Sequence, residues 1–121
     1  MNPRESAQWR MHNTGLWDTP ATGAAEAVAR LGALQAQEFP YAKWSIAQRT
    51  AERGDAEIGR LFDAGSILRT HVLRPTWHFV LPEDIRWMLR LSGLRVKKMA
   101  AFYDRKLGIG RCHFRPYESH P

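Results

Sequence analysis

Between Gly65 and Pro82 the hydrophobic period of this chain changes, and that change sharply limits the folds it can adopt. Residues 67–72 (Ile-Leu-Arg-Thr-His-Val) and 76–81 (Thr-Trp-His-Phe-Val-Leu) alternate with period two, joined by Leu73, Arg74 and Pro75. Alternation bounded by turn residues reads as the two strands of a hairpin. Upstream, the period is helical. Ala24, Ala27, Val28, Leu31 and Leu34 fall on one arc, which predicts a helix over 23–34 with Thr22 as its N-cap. Pro40 closes that element by driving Phe39 out of the α region. A second helix is expected over 41–49, with Ala42, Trp44 and Ile46 apolar. A third is expected over 56–63, capped by Asp55 and stopped at Gly65. A short helical piece is expected around residues 5–10. Pro82 opens a last helix in the favoured first position, with Glu83 and Asp84 against its positive end. It runs towards Leu107, with an interruption expected at Ser92-Gly93.

Three helices followed by a hairpin is the order of a winged helix-turn-helix. The expected fold class is therefore mainly α with one β-hairpin, residues 41–64 forming the helix-turn-helix pair and 67–81 the wing. The expected division is a lead-in over 1–21, a winged-helix unit over 22–109 and an irregular tail over 110–121. That tail holds the single cysteine, Cys112, and shows neither period. It reads as a disordered end, or as a frame change that truncates a longer protein.

Alternation also predicts faces. Leu68, Thr70 and Val72 share one side of the first strand, and Trp77, Phe79 and Leu81 one side of the second. Arg69, His71, Thr76 and His78 are left together on the polar side. On the last helix, Ile85, Met88, Leu89, Val96, Met99, Tyr103 and Leu107 form one stripe. Arg86, Arg90, Lys97 and Arg105 occupy the opposite arc. Trp87, Leu91, Leu94 and Phe102 lie outside the stripe, so this helix calls for a second partner. The five tryptophans, Trp9, Trp17, Trp44, Trp77 and Trp87, are expected in the core or between packed units.

The net charge of +6 is unevenly spread. Residues 1–60 carry seven Lys/Arg against seven Asp/Glu, whereas 61–109 carry nine against four. The basic excess thus follows the hairpin and the last helix, where it suits a polyanion. One cysteine makes no internal disulfide and too few thiolates for zinc, so a reducing cytoplasm is expected. Two histidines on the hairpin without a nearby carboxylate or thiolate do not make a metal site. No run is long and apolar enough to span a membrane, and the first residues lack a signal-type apolar stretch. The third helix is a poor match for an anion-seeking recognition helix, because Asp55, Glu57 and Asp63 surround a single Arg60.

Residues 31–37, Leu-Gly-Ala-Leu-Gln-Ala-Gln, and residues 69–89 together resemble the AlkZ-like family of winged-helix DNA glycosylases. Arg10-Met11-His12-Asn13 and Leu16 resemble that family's N-terminal lead-in, so the resemblance covers residues 4–109. Members carry tandem winged-helix units in a C-shaped cradle around DNA and remove alkylated purines. Their signature is glutamine, any residue, then glutamine or aspartate, and Gln35-Ala36-Gln37 matches the glutamine form. The resemblance implies a DNA-repair hydrolase of bacterial cytoplasmic type, associated with the nucleoid. It implies Gln35 and Gln37 as catalytic residues, with Thr76 and His78 lining the site. Arg69, Arg74, Arg86, Arg90 and Lys97 become contacts to the phosphates of double-stranded DNA. No cofactor is implied. Only the first unit is matched, so the remaining winged-helix units of the same protein are implied partners. The alternatives are a non-catalytic winged-helix DNA-binding module and a truncated product without activity of its own.

The residue chemistry fits that reaction. A glutamine amide does not titrate near neutral pH and is no general base, but it accepts and donates hydrogen bonds to water. An N7-alkylated guanine already carries positive charge and leaves without protonation. The enzyme then has to place a water at C1′ and stabilise a cationic sugar, which is positioning and electrostatics. Two amides at i and i+2 diverge on a helix and point alike in extended backbone.

Overall fold

The computed structural model describes residues 2–17, 20–51 and 54–108. Asp18, Thr19, Arg53 and the segment 110–121 with Cys112 lie outside the described residues. The elements run α1 (Pro3–Asn13), α2 (Ala24–Leu31), β1 (Leu34–Gln35), α3 (Phe39–Ala47), α4 (Asp55–Asp63), β2 (Leu68–His71), β3 (Trp77–Val80) and α5 (Pro82–Lys106). The fold is a mainly α winged helix-turn-helix: α3 and α4 are the helix pair, β2 and β3 the wing.

Helix α1 is longer than the expected piece because both of its ends are well made. Asn2 Oδ1 accepts from the Glu5 N–H at 2.9 Å, and Glu5 Oε2 accepts from the Asn2 N–H at 2.8 Å, a reciprocal capping box. Its residues bury nothing, so its order is largely local. Helix α2 stops three residues short of Leu34, at Gly32, whose φ of +70° suits glycine. Its N-cap is Gly23 rather than Thr22. Thr22 instead donates its hydroxyl and its N–H to Glu26 Oε2 at 2.6 and 2.7 Å, while Arg30 Nη2 reaches Glu26 Oε1 at 2.6 Å. The Thr22 hydroxyl and N–H, then Arg30, hold the Glu26 carboxyl down at about 2.

Two other end signals are displaced by one position. Phe39 is the first residue of α3 and Pro40 lies within its first turn, so the proline opens this helix instead of closing the one before it. Gly54, not Asp55, is the N-cap of α4, and Asp55 stands in its first turn, paired with Lys43 Nζ at 2.7 Å. A two-way backbone bridge ties the helices together: the Ala21 N–H donates to the Arg49 carbonyl and the Ala51 N–H to the Ala21 carbonyl.

The sheet has three antiparallel strands in the order β1-β3-β2, so the hairpin gains a third strand from residues just after α2. Leu34 pairs with Phe79 and Gln35 with His78. On the other side Arg69 pairs with Phe79 and Thr70 with His78. Residues directly opposite in an antiparallel pair share a face. Arg69 and His71 therefore lie with Trp77 and Phe79, whereas His78 lies with Gln35, Thr70, Leu68 and Val80. The expected pooling of Arg69, His71, Thr76 and His78 on one polar side is overturned by this register.

Both faces of the sheet are covered, which is why neither reads as a polar side. One rests on the main core, where Val28, Ile46, Ile58, Ile67 and Phe79 are fully buried, Phe39 packs edge-on against Phe62 and Phe79, and Phe62 lies tilted against Phe79. The other carries a smaller cluster of Val72, Val80 and Met88, with Leu68, Ile85 and Ala33 against it.

Helix α5 is continuous through Ser92-Gly93, the Ser92 hydroxyl donating back to the Met88 carbonyl at 2.7 Å. It buries Met88 and Ser92 and no residue after them. Much of the expected stripe is consequently exposed, including Leu89, Met99, Tyr103 and Leu107, together with Trp87, Leu91, Leu94 and Phe102. Of the tryptophans expected in the core or between packed units, Trp77 is partly buried against the core, and Trp9, Trp17, Trp44 and Trp87 are exposed in this unit. Among the described residues, no helix is long and apolar enough to cross a membrane.

Candidate functional site

Gln35 is the last residue of β1, and Gln37 lies two residues on, before the first turn of α3. Between them Ala36 is fully buried, and its N–H donates to the Trp77 carbonyl at 2.7 Å. The two glutamines are exposed and border one shallow cleft of about 240 Å³, shared with Glu38, Tyr41, Ala42 and Ser45. The expected extended exit from the helix thus exists, although it is built by pairing with β3 and not by Pro40.

The hairpin holds both amide side chains. Gln35 Oε1 accepts from Arg74 Nη2 at 3.3 Å, and Gln37 Oε1 accepts from the Trp77 N–H in a long contact of 3.5 Å. Because both partners are donors, each amide must present its oxygen to the hairpin. Each retains one carbonyl lone pair and its NH₂ group.

Arg69 is the buckle of this arrangement. Its Nε donates to the Ala36 carbonyl and its Nη2 to the Gln37 carbonyl, both at 3.0 Å. Its guanidinium lies 4.4 Å from the centre of the Trp77 ring and 5.7 Å from that of Phe39. A planar cation with fixed donors can bind two successive carbonyls and still stack on an indole. These bonds tie Arg69 to the backbone that carries the glutamines. Sequence reading missed them because the faces were assigned without the register.

His78 is 4 % exposed, and its Nδ1 lies 2.8 Å from the Thr76 carbonyl. A carbonyl only accepts, so Nδ1 carries the hydrogen and Nε2 is the acceptor of the neutral ring. Burial pushes the imidazole below its ordinary value, and the nearby charge of Arg74 and His71 acts in the same direction. The Thr76 hydroxyl is buried and has no hydrogen-bond partner among the described residues. His78 stands in register with Gln35, which places it one strand from the cleft.

Arg86, Arg90 and Lys97 are exposed on α5 and form no ion pair among the described residues. The structure does not bring them to the glutamine cleft. Glu38, Tyr41 and Ser45 line that cleft and were not singled out from sequence. Their signal was their position just after the Gln-x-Gln motif, at the start of a helix.

A larger cavity of about 290 Å³ shares no residue with this cleft. It is lined by His12, Arg30 and Arg49 among others. Its guanidinium groups are committed: Arg49 binds the Thr14 and Ser45 carbonyls and the Ser45 hydroxyl, and Arg30 binds Glu26. No group of three or more metal-ligating side chains occurs among the described residues.

A winged helix whose wing grips an adjacent pair of glutamines defines a class of protein. The chain belongs to the AlkZ-like DNA glycosylase family, whose model matches residues 28–115. In fold it is similar to the Streptomyces sahachiroi DNA glycosylase AlkZ, with 28% sequence identity and a TM-score of 0.59. That similarity covers 68% of this chain and 22% of the AlkZ chain, so this protein spans about a fifth of the length of that enzyme. No curated protein matches the chain.

Proposed function

We propose that this chain is a winged-helix DNA-binding protein and the N-terminal part of a DNA-repair glycosylase, hydrolysing the N-glycosidic bond of alkylated purines in double-stranded DNA. The observation that carries this reading is the pair Gln35 and Gln37, fixed by Arg74, Arg69 and the Trp77 N–H at the edge of one cleft. Family membership supplies the reaction class.

In this reading Gln37 positions the attacking water through its remaining lone pair and its NH₂ group, and Gln35 supports it. Holding water within reach of C1′ converts an encounter with solvent into an ordered attack. His78, in register with Gln35, and Thr76 line the site beside the pair. Arg74 at the wing and Arg86, Arg90 and Lys97 on α5 meet phosphates, giving affinity that falls with salt. The remaining winged-helix units of such an enzyme complete the grip on the duplex.

The test is single-turnover release of N7-methylguanine from duplex DNA. The expected result is release by the wild type and a loss of at least tenfold in Gln37→Ala, on the scale of losing one well-placed polar group, about 10²-fold. Salt-dependent binding with no release would leave a non-catalytic DNA-binding module. Release unchanged in Gln37→Ala would refute the role given to that residue.

A further inference from the structure

Glu38 stands apart from the other charged residues near the glutamines. It lines the same cleft as Gln35 and Gln37 and its side chain is exposed. It occupies the N-cap of α3, yet it makes no side-chain cap hydrogen bond. Its backbone carbonyl accepts from the Ala42 N–H, but its carboxylate has no hydrogen-bond or ion-pair partner among the described residues. Lys43, on the following turn, is taken by Asp55. In a chain of net charge +6, a carboxylate beside the glutamines works against phosphate at that spot and favours a cation.

The two amides leave a gap that a carboxylate would fill. Each has turned its carbonyl oxygen towards a donor of the hairpin, so what remains is one lone pair and the NH₂ group. Such groups can hold a water. They cannot take its proton, and as neutral amides they offer a cationic sugar far less than a carboxylate does. Tyr41, 74 % exposed and lining the same cleft, adds an aromatic face and no charge.

Resting on the function proposed above, we infer that Glu38 is a catalytic carboxylate that faces the cationic sugar and accepts the proton of the attacking water. In the step, the water oxygen bonds to C1′ while the bond from C1′ to the purine N9 breaks. The electron pair of that bond passes into the purine and cancels the charge of the N7-alkylated ring, which leaves neutral. One water proton goes to the Glu38 carboxylate and from there to solvent.

The test is binding of the intact chain to two duplexes, read by fluorescence anisotropy. One carries a pyrrolidine abasic analogue, which is cationic like the reacting sugar, and the other the neutral tetrahydrofuran analogue at the same position. The wild type is expected to prefer the cationic duplex about fivefold, the scale of one exposed charge pair. Glu38→Gln removes the preference, read as the ratio of the two affinities so that any general gain in DNA affinity from losing a negative charge cancels, and leaves the thermal melt unchanged. Glu38→Asp retains part of it. Equal wild-type affinity for both duplexes, or a preference that survives in E38Q, overturns the assignment while leaving DNA binding intact. Binding to neither duplex overturns the DNA-binding reading itself, and the role of Glu38 with it.

Discussion

The two faces of the small sheet are built to different standards. The face towards α2, α3 and α4 rests on a core of twelve buried residues centred on Phe79. The face towards α5 rests on three, Val72, Val80 and Met88, with His78 in the row between them and the glutamine strand. Beyond Ser92 the helix that covers this second face buries nothing. One face is thus the anchor of the fold. The other is a thin cover over a sheet whose edge strand carries the candidate site. The lesson is that the cleft is held less by packing than by directed hydrogen bonds, those of Arg69, Arg74 and the Trp77 N–H.

The contrast breaks most severely at Phe79. Phe79→Ala should cost about 3–5 kcal/mol in urea denaturation, since it opens a cavity among Phe39, Phe62 and Ile46. Met88→Ala on the other face should cost about 2 kcal/mol, the low end for such a truncation. Equal losses would mean that the faces are energetically alike.

Removing the buckle comes next. Arg69→Ala leaves the carbonyls of Ala36 and Gln37 without their donor, and about 2 kcal/mol is expected. Amide exchange of Ala36 should quicken with it. Arg69→Lys keeps the charge without the two-pronged donor and should recover less than half. Full recovery would show that charge alone suffices there.

Acid should act selectively on the thin face. His78 is held below its ordinary value by burial, so the folded state resists its protonation. Its contribution is intact above the unfolded value of about 6.5 and is lost progressively as the pH falls below it. Thermal melts should therefore drop as the pH falls below about 6.5, and His78→Gln should flatten that limb. A limb that persists in the variant would assign it to another group.

The smallest stability effect belongs to the projecting helix. Arg86→Gln, Arg90→Gln and Lys97→Gln together should leave the melt within about 0.5 kcal/mol. The slope of log affinity for duplex DNA against log salt should fall by about 0.9 for each cation removed. An unchanged slope would take α5 out of the DNA-binding surface.

Much of the architecture was legible because periodicity reports burial on one side at a time. The helix pair, the hairpin and Pro82 at the head of α5 all carry such a signal. Strand β1 does not, because two residues have no period, and its existence depends on β3 lying alongside. The faces failed for a related reason: Phe79 and Val80 are both fully buried, so alternation no longer separates inside from outside. The Gln-Ala-Gln motif was visible as residues, but not what grips it. Arg69 read as a surface cation until its register beside Phe79 put its guanidinium under the glutamine strand. Size and apolarity alone also did not tell which tryptophans enter the core: Trp77 is partly buried there, and Trp9, Trp17, Trp44 and Trp87 are exposed.

The pairing of β1 with β3 also has a kinetic consequence. Gln37 and Trp77 are 40 residues apart in the chain, with α3, α4 and β2 between them. Local helices and the tight hairpin cost little loop entropy and form early, whereas a strand recruited across such a distance waits for the rest. The cleft should therefore be among the last parts of the molecule to assemble during folding and the first to open under partial denaturation. A collapsed intermediate would carry nearly all the helix and the complete wing while having no aligned pair of glutamines at all.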